Sequence, residues 1–316
     1  MRVVGVEEFG GPEQLQVFEV PDPEAGPGEV RIRVHAATVN PTDTLLRAGA
    51  MGERFTQGRR PPYVPGMEAA GVVDQLGEGA AEQTGLAIGD AVMAIVLPAG
   101  PRGGAYAERV VVPAGSVVRA PAGASHAEAA TLPMNGLTVC AALELLGLRP
   151  GQTLAVTGAA GAVGGYAIEL GKVAGLRVIA DAALTDEGLV RELGADQVVA
   201  RGDDVATRVR ALVPDGVDAV LDAALLHAKV LPAIRDGGAL AAVRAFEGEA
   251  ERGITVHRVQ VGRYAEDRAK LDELRRLAEE GAISMRVART FPAERATEAH
   301  RQLEAGGTRG RLIIEL

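Results

Sequence analysis

The residues whose types and spacing point most directly to chemistry lie in Thr153–Gly175, which reads TLAVTGAAGAVGGYAIELGKVAG. A short apolar run, Leu154 to Val156, leads into a glycine turn, and small apolar residues then recur at helical spacing. That pattern predicts a strand, a tight turn and a helix. Gly158 opens the turn. Gly161 and Gly164 fall where the second and third glycines of a dinucleotide fingerprint fall, with Ala159 in the first place. Such a turn lets backbone N–H groups approach a pyrophosphate at the positive end of a helix dipole. The N–H groups of Gly161, Ala162 and Val163 are the expected donors. Gly164 and Gly165 let the helix lie close to the sheet. A turn between a buried strand and a buried helix has the same composition without any ligand, so the next strand carries weight. Arg177–Asp181 (RVIAD) reads as a buried strand that ends in an acid 17 positions after Gly164. A carboxylate there accepts hydrogen bonds from an adenosine ribose 2′-OH and repels a 2′-phosphate. Turn and acid together predict dinucleotide binding.

The elements that must position this turn follow from the texture of the chain. Its 316 residues suffice for two domains, and 47% of them are apolar. Aromatic residues make up only 3%, so the core is expected to be aliphatic. A net charge of −9 argues against a nucleic-acid face, and the one cysteine, Cys140, excludes an internal disulfide and a thiolate-rich zinc site. MRVVGVEEFG runs straight into a strand pattern with no apolar signal segment. No run of about 18 uninterrupted apolar residues predicts a membrane span. A cytoplasmic protein is the expectation. Residues 1–123 read as short strands punctuated by Gly and Pro, with a short helix at Thr42–Arg47 that has Pro41 in its first turn. HAEAATLPMNGLTVCAALELLG reads as two helical segments broken at Pro133 and Gly136. Strands are then predicted at Thr153–Thr157, Arg177–Asp181, Gln197–Ala200, Ala219–Asp222, Ala239–Val243 and Thr255–Val261, with helices between most of them. That alternation is an α/β, doubly wound parallel sheet. A helix at Asp267–Glu280, a strand at Ser284–Thr290, a helix at Glu294–Ala305 and a strand at Arg311–Leu316 close the chain.

Several segments taken in order, TVNPTD, PYVPGMEAAGVV, GDAVMA, GGAYAERVVVP, AATLPMNGLTVCAAL, TGAAGAVG, ELGADQVV, GVDAVLDA and TRGRLIIEL, resemble one family. They are similar to the zinc-independent quinone oxidoreductases of the medium-chain dehydrogenase/reductase superfamily, with enoyl reductases close by. The resemblance implies a GroES-like β-rich catalytic domain, residues 1–123 and 264–316, around a Rossmann domain, residues 124–263, with the active site in the cofactor cleft. It also implies hydride transfer from NADH or NADPH to a quinone or to the β-carbon of an α,β-unsaturated carbonyl. In the alcohol-dehydrogenase branch the segment matching PGMEAAG carries a zinc-binding His where this chain has Met67. No cysteine precedes Cys140, and His35, His126, His227, His257 and His300 are scattered, so no metal site is expected.

Without a metal, hydrogen-bond donors must polarise the substrate carbonyl. Asn40 matches the family position lining nicotinamide and substrate, although a turn residue before Pro41 explains it too. Asp43 fits a proton path or a helix-start carboxylate. The family often has a Tyr where this chain has Leu45, which removes the obvious hydroxyl, and Tyr63 is the candidate substitute or a packing residue. Asn135, Thr138, Ala223, Val243 and Ala245 match positions near the nicotinamide end. Arg311 replaces a common Lys in the closing segment. Asp181, with Asp186 and Glu187 following, favours NADH, whereas Arg201 after the third strand is positioned to reach the adenosine edge. Gly49–Pro62, with Arg54, Arg59 and Arg60, is expected to border the substrate entrance or to be an ordinary solvated loop. A short-chain dehydrogenase is excluded, because Ala162 occupies its required glycine and no Tyr-x-x-x-Lys is present. The alternative is a catalytically silent cofactor-binding scaffold. A homodimer paired through Ile254–Val261 is also expected.

Overall fold

The computed structural model describes residues 1–50, 52, 56, 60–100 and 102–316, which fall into two compact units. Arg54 and Arg59 lie outside the described residues. Unit 1 comprises Met1–Met134, Gly262–Glu279 and Met285–Leu316; unit 2 comprises Asn135–Val261 and Glu280–Ser284.

Unit 1 is built on one-faced strands. Along β3 (Glu29–Thr38), Val30, Ile32 and Val34 are buried while Arg31, Arg33 and His35 between them are not. This period-two alternation places one face on a core and leaves the other wet. Two short strands, β1 (Arg2–Gly5) and β2 (Gln16–Glu19), pair with each other. The larger sheet has β4 (Glu68–Leu76), β5 (Ala91–Ile95), β6 (Arg109–Pro113) and β7 (Val117–Arg119) on one side of the sequence. It is completed by β14 (Val287–Pro292) and β15 (Arg311–Glu315), in the order β14-β15-β3-β4-β5-β7, with β6 also pairing with β3. Helix α1 (Pro41–Arg47) starts on Pro41, as its fixed φ favours. The short helices α2 (Ala80–Thr84) and α3 (His126–Ala129) follow, and a longer helix, α4 (Pro133–Leu146), starts at the end of this stretch and belongs to unit 2 from Asn135 on. Gly136 does not break α4. It sits in the first turn, where a glycine costs only about 1 kcal/mol relative to Ala.

Unit 2 is a six-stranded parallel sheet. Its strands are β8 (Thr153–Thr157), β9 (Arg177–Ala182), β10 (Gln197–Ala200), β11 (Val217–Asp222), β12 (Ile234–Ala242) and β13 (Thr255–Arg258), in the order β10-β9-β8-β11-β12-β13. Every residue of β8 is buried, as expected of a parallel strand covered on both faces. Helices α5 (Ala162–Val173), α6 (Glu187–Glu192) and α7 (Val205–Leu212) connect strands. β12 begins five residues before the predicted Ala239, and β13 stops at Arg258, short of the predicted Val261. In unit 1, α8 (Arg268–Glu279) buries Leu271, Leu274 and Ala278, a helical stripe, and α9 (Ala296–Ala305) precedes β15. The stretch His126–Leu146 is apolar and long enough to cross a membrane, but 72% of an 18-residue window within it is buried inside the protein, as in a core helix.

Phe291, on β14, is 1% exposed within the unit 1 core. Phe291→Ala should lower stability by roughly 3–5 kcal/mol in urea unfolding. A loss under 1 kcal/mol would show that this core is not tightly packed.

Candidate functional site

In unit 2 the glycine turn between β8 and α5 is built by exclusion of side chains. Gly158 has φ +65°, and a Cβ there would lie 3.1 Å from the backbone of Ala223 and Ala224. A Cβ on Gly164 would lie 2.3 Å from the Gly158 carbonyl oxygen, closer than any real contact. The Gly161 N–H donates to the Gly158 carbonyl at 3.0 Å and closes the turn. This corrects one expectation: the Gly161 donor is engaged within the turn. Because α5 begins at Ala162, the N–H groups of Ala162, Val163 and Gly164 have no acceptor within the helix, and they mark its positive end.

Acids at the carboxyl ends of the strands brace this turn. Asp181, at the end of β9, is 6% exposed, and its Oδ1 accepts from the Ala159 N–H at 3.1 Å. Burial pushes its carboxyl up, against the pull of the Ala159 and Gly158 N–H groups and of Arg201. Asp222 ends β11 directly beside Thr157, whose hydroxyl donates to it at 2.6 Å. Arg201 is exposed after β10, Val243 is half-buried after β12, and Ala245 is exposed two residues on. Asn135 is buried in the first turn of α4, and Thr138 is half-buried. Glu187 pairs with Arg191 at 2.6 Å, along α6.

In unit 1 the sequence-predicted residues fall into a buried polar cluster. Arg311 on β15 and Glu68 on β4 form an ion pair, with side chains 5% and 0% exposed. Thr38, at the end of β3, donates to Glu68 and accepts from Arg311. The Asn40 amide donates to Thr38 at 3.2 Å and to Glu68 at 3.3 Å, and its oxygen accepts from Arg311 at 2.8 Å. Glu68 Oε2 accepts from the Met134 N–H at 2.6 Å. Burial pushes the Glu68 carboxyl up, while Arg311 pulls it down. Asn40 directs its amide oxygen to Arg311 and one edge of its amide nitrogen to the adjoining Thr38 and Glu68 oxygens. One expectation changes here, that for Arg311. Arg311 directs its guanidinium to Glu68, Thr38 and Asn40.

Asp43 is fully buried beside this cluster. Its two oxygens accept from the backbone N–H groups of Asn40 (2.7 Å) and Gly66 (2.8 Å), and Tyr106 Oη lies 3.3 Å away. The first of these bonds is the capping contact of α1. Desolvation raises the Asp43 carboxyl to about 7, opposed by these hydrogen bonds. Tyr106 Oη also meets His300 Nε2 at 3.2 Å, and burial lowers His300 to about 3. Leu45 is half-buried on α1. Tyr63 stacks on Phe9, ring centroids 5.1 Å apart, and pairs its backbone with Val6, so its contacts are those of packing.

With this geometry in view, residues 26–122 match the alcohol dehydrogenase GroES-like domain family, and residues 193–314 match the zinc-binding dehydrogenase family. A quinone oxidoreductase of Pseudomonas aeruginosa is 30% identical over 329 residues, covering 97% of each chain. The chain belongs to the quinone oxidoreductases of the medium-chain dehydrogenase/reductase superfamily. Among solved structures similar to this family member, an NAD-dependent alcohol dehydrogenase is 31% identical with a TM-score of 0.85, covering all of both chains. A mycobacterial protein solved with NADPH is 28% identical, with a TM-score of 0.86 over all of both chains. The chain spans about half the length of other curated relatives that it matches.

Among the described residues, the zinc named in one family description has no fitting donor set. Met67 stands where the zinc-binding His stands in the alcohol-dehydrogenase branch, and the adjacent Glu68 is held by Arg311. Among the described residues, no three His, Cys, Asp or Glu side chains converge to hold a metal. The nicotinamide cofactor of the superfamily does fit, because the turn at Gly158 and Gly164 admits no side chain and opens on unpaired helix N–H groups. Glu68, Tyr106 and His300 were not foreseen from the sequence as cluster members. A signal was present for the first: a lone carboxylate at the head of the apolar run EAAGVV has to find a partner if it is buried.

Removing one partner of the buried pair leaves the other charge uncompensated. Arg311→Met should cost roughly 3–5 kcal/mol in urea unfolding, and adding Glu68→Met should recover most of that loss. Equal losses in the single and double variants would contradict this. His300 sets an acid limit. Its folded value lies below its unfolded one, so its stabilisation is complete above about pH 6.5 and is lost as pH falls toward 3. Asp43 acts in the opposite sense, its contribution declining as pH rises from about 4 to 7. The stability gap between wild type and His300→Gln, read from urea midpoints, should therefore shrink steadily from pH 7 to pH 4. A constant gap would show that His300 does not remain neutral in the fold.

Proposed function

We propose that the protein is an NAD(P)H-dependent oxidoreductase acting on a quinone or on an α,β-unsaturated carbonyl. The observation that carries this reading is the side-chain-free turn at Gly158 and Gly164, in a chain similar along its length to a quinone oxidoreductase. Reduced nicotinamide supplies, when bound, the hydride that the acceptor carbon or quinone takes up. The N–H groups of Ala162, Val163 and Gly164 hold the pyrophosphate. Asp181 at the end of β9 holds the adenosine ribose and disfavours a 2′-phosphate, so NADH is the preferred cofactor. The exposed Arg201 is the nearest competing influence. Leu45 offers no hydroxyl, so solvent supplies the proton that completes the reduction. The reading is zinc-free, since among the described residues Met67 and the Arg311-bound Glu68 leave no ligand set for the metal. The open edge of β13 supports pairing of two copies into a homodimer, and the cytoplasm is the compartment that supplies such a cofactor.

The test is a titration of the purified protein with NADH and with NADPH, followed by nicotinamide fluorescence. NADH should bind about tenfold tighter or better, and Asp181→Ser should narrow or reverse the preference. Tighter NADPH binding in the wild type would overturn the role of Asp181. Absence of binding by either would overturn the functional reading.

A further inference from the structure

The turn that follows β11 is held in a conformation its sequence resists. Leu225 has φ +58° and His227 has φ +55°, both in the left-handed region that disfavours residues bearing a Cβ. Such strain persists only where surrounding contacts overdetermine it, and it gathers at ligand clamps. Here Asp222 is the restraint. Its Oδ1 accepts from the Leu226 N–H at 3.1 Å and its Oδ2 from the His227 N–H at 2.8 Å. Thr157 completes the frame by accepting from the Ala224 N–H at 3.2 Å.

His227 then reaches a second loop. Its Nδ1 accepts from the Glu247 N–H at 3.2 Å, and its ring packs against Phe246 with centroids 6.4 Å apart. A ring that accepts at Nδ1 carries its proton at Nε2. His227 itself is half-buried. Both loops leave the carboxyl ends of strands, the 223–227 loop from β11 and the 243–247 loop from β12. The first touches the glycine turn itself, since Ala223 and Ala224 close against Gly158. In the strand order, β9 with Asp181 lies on one side of β8, and β11 and β12 lie on the other. A dinucleotide whose pyrophosphate sits at the start of α5 and whose adenosine lies toward Asp181 must therefore lay its other half over β11 and β12.

We infer that His227 is a positioning residue for the nicotinamide half of the cofactor: it ties the 243–247 loop to the strained 223–227 turn and presents Nε2–H beside that half. The inference rests on the dinucleotide reading above. It gives a role to a histidine at a left-handed position where glycine is easier.

The strain supplies a test that separates positioning from folding. His227→Gly relieves the left-handed backbone and removes the ring, so its melting temperature should equal or exceed that of the wild type. Its affinity for NADH should nevertheless fall about fivefold to twentyfold, while its affinity for ADP, which lacks the nicotinamide half, stays within about twofold. His227→Asn, which tolerates the left-handed region and keeps a side-chain acceptor, should lie between the two. Unchanged NADH affinity in His227→Gly would overturn the inference alone, as would an equal loss of NADH and ADP affinity. Wild-type protein that binds ADP but neither NADH nor NADPH would overturn the functional reading and the inference with it.

Discussion

A single steric constraint governs the candidate cofactor site: the backbone of Gly158 must pass where side chains cannot. Gly164 has to lack a Cβ because the Gly158 carbonyl lies 2.3 Å from where that atom would be. Gly158 is pressed from its other side by Ala223 and Ala224. The same carbonyl accepts from Gly161, which sets the point where α5 begins and so which N–H groups stay unpaired. Of the acids on the strands that flank β8, Asp181 accepts from the Ala159 N–H within the turn, while Asp222 accepts from Thr157 just before it and fixes the 223–227 loop that presses on Gly158. The turn is thus a consequence of packing at the strand ends, and its anion-binding character follows from where the helix must start.

Unit 1 is organised by a different force. Thr38, Glu68 and Arg311 come from three strands, and Asn40 and Met134 from the starts of two helices; all five meet in one buried cluster. Burying an ion pair is expensive in desolvation, and the cost is offset only when the remaining lone pairs and protons are satisfied. Here nearly all are, the Arg311 Nε being an exception. Asp43 and Tyr106 extend the polar region to His300 on α9, where Nδ1 is likewise without a partner. Such a network rewards one arrangement of strands over its competitors, because any slip strands a charge in an apolar core.

Much of this was legible in the residues alone. The run TLAVTGAAGAVGG announces strand, turn and helix because period, glycine placement and small-residue spacing agree. The parallel sheet was readable for the same reason, since β8, β9 and β11 are nearly continuous apolar runs. Contacts between distant residues were not. Glu68 and Arg311 are 243 positions apart, and nothing local in either segment names the other. Arg311 looked like a strand-start charge or a cofactor ligand until the partner was visible. The position of Asn40 in VNPTD could be read but not the direction of its amide, whose oxygen accepts from Arg311. Gly136 looked like a break, although a glycine in a first helical turn is cheap when the helix around it is well packed. His227 gave no sign in the sequence, because a left-handed φ is imposed by Asp222 through backbone bonds that leave no pattern.

The measurement that tests the account most directly follows the hydride itself. NADH carrying deuterium at its reactive nicotinamide carbon would be incubated with the protein and a simple α,β-unsaturated ketone. The account predicts that one deuterium appears at the β-carbon of the saturated product and that the α-carbon takes its hydrogen from solvent. Consumption of NADH by a quinone panel would support the same chemistry with the other acceptor class. No oxidation of NADH or NADPH with any quinone or enone, by protein shown to bind the cofactor, would contradict the account and leave a scaffold that binds a dinucleotide without turning it over.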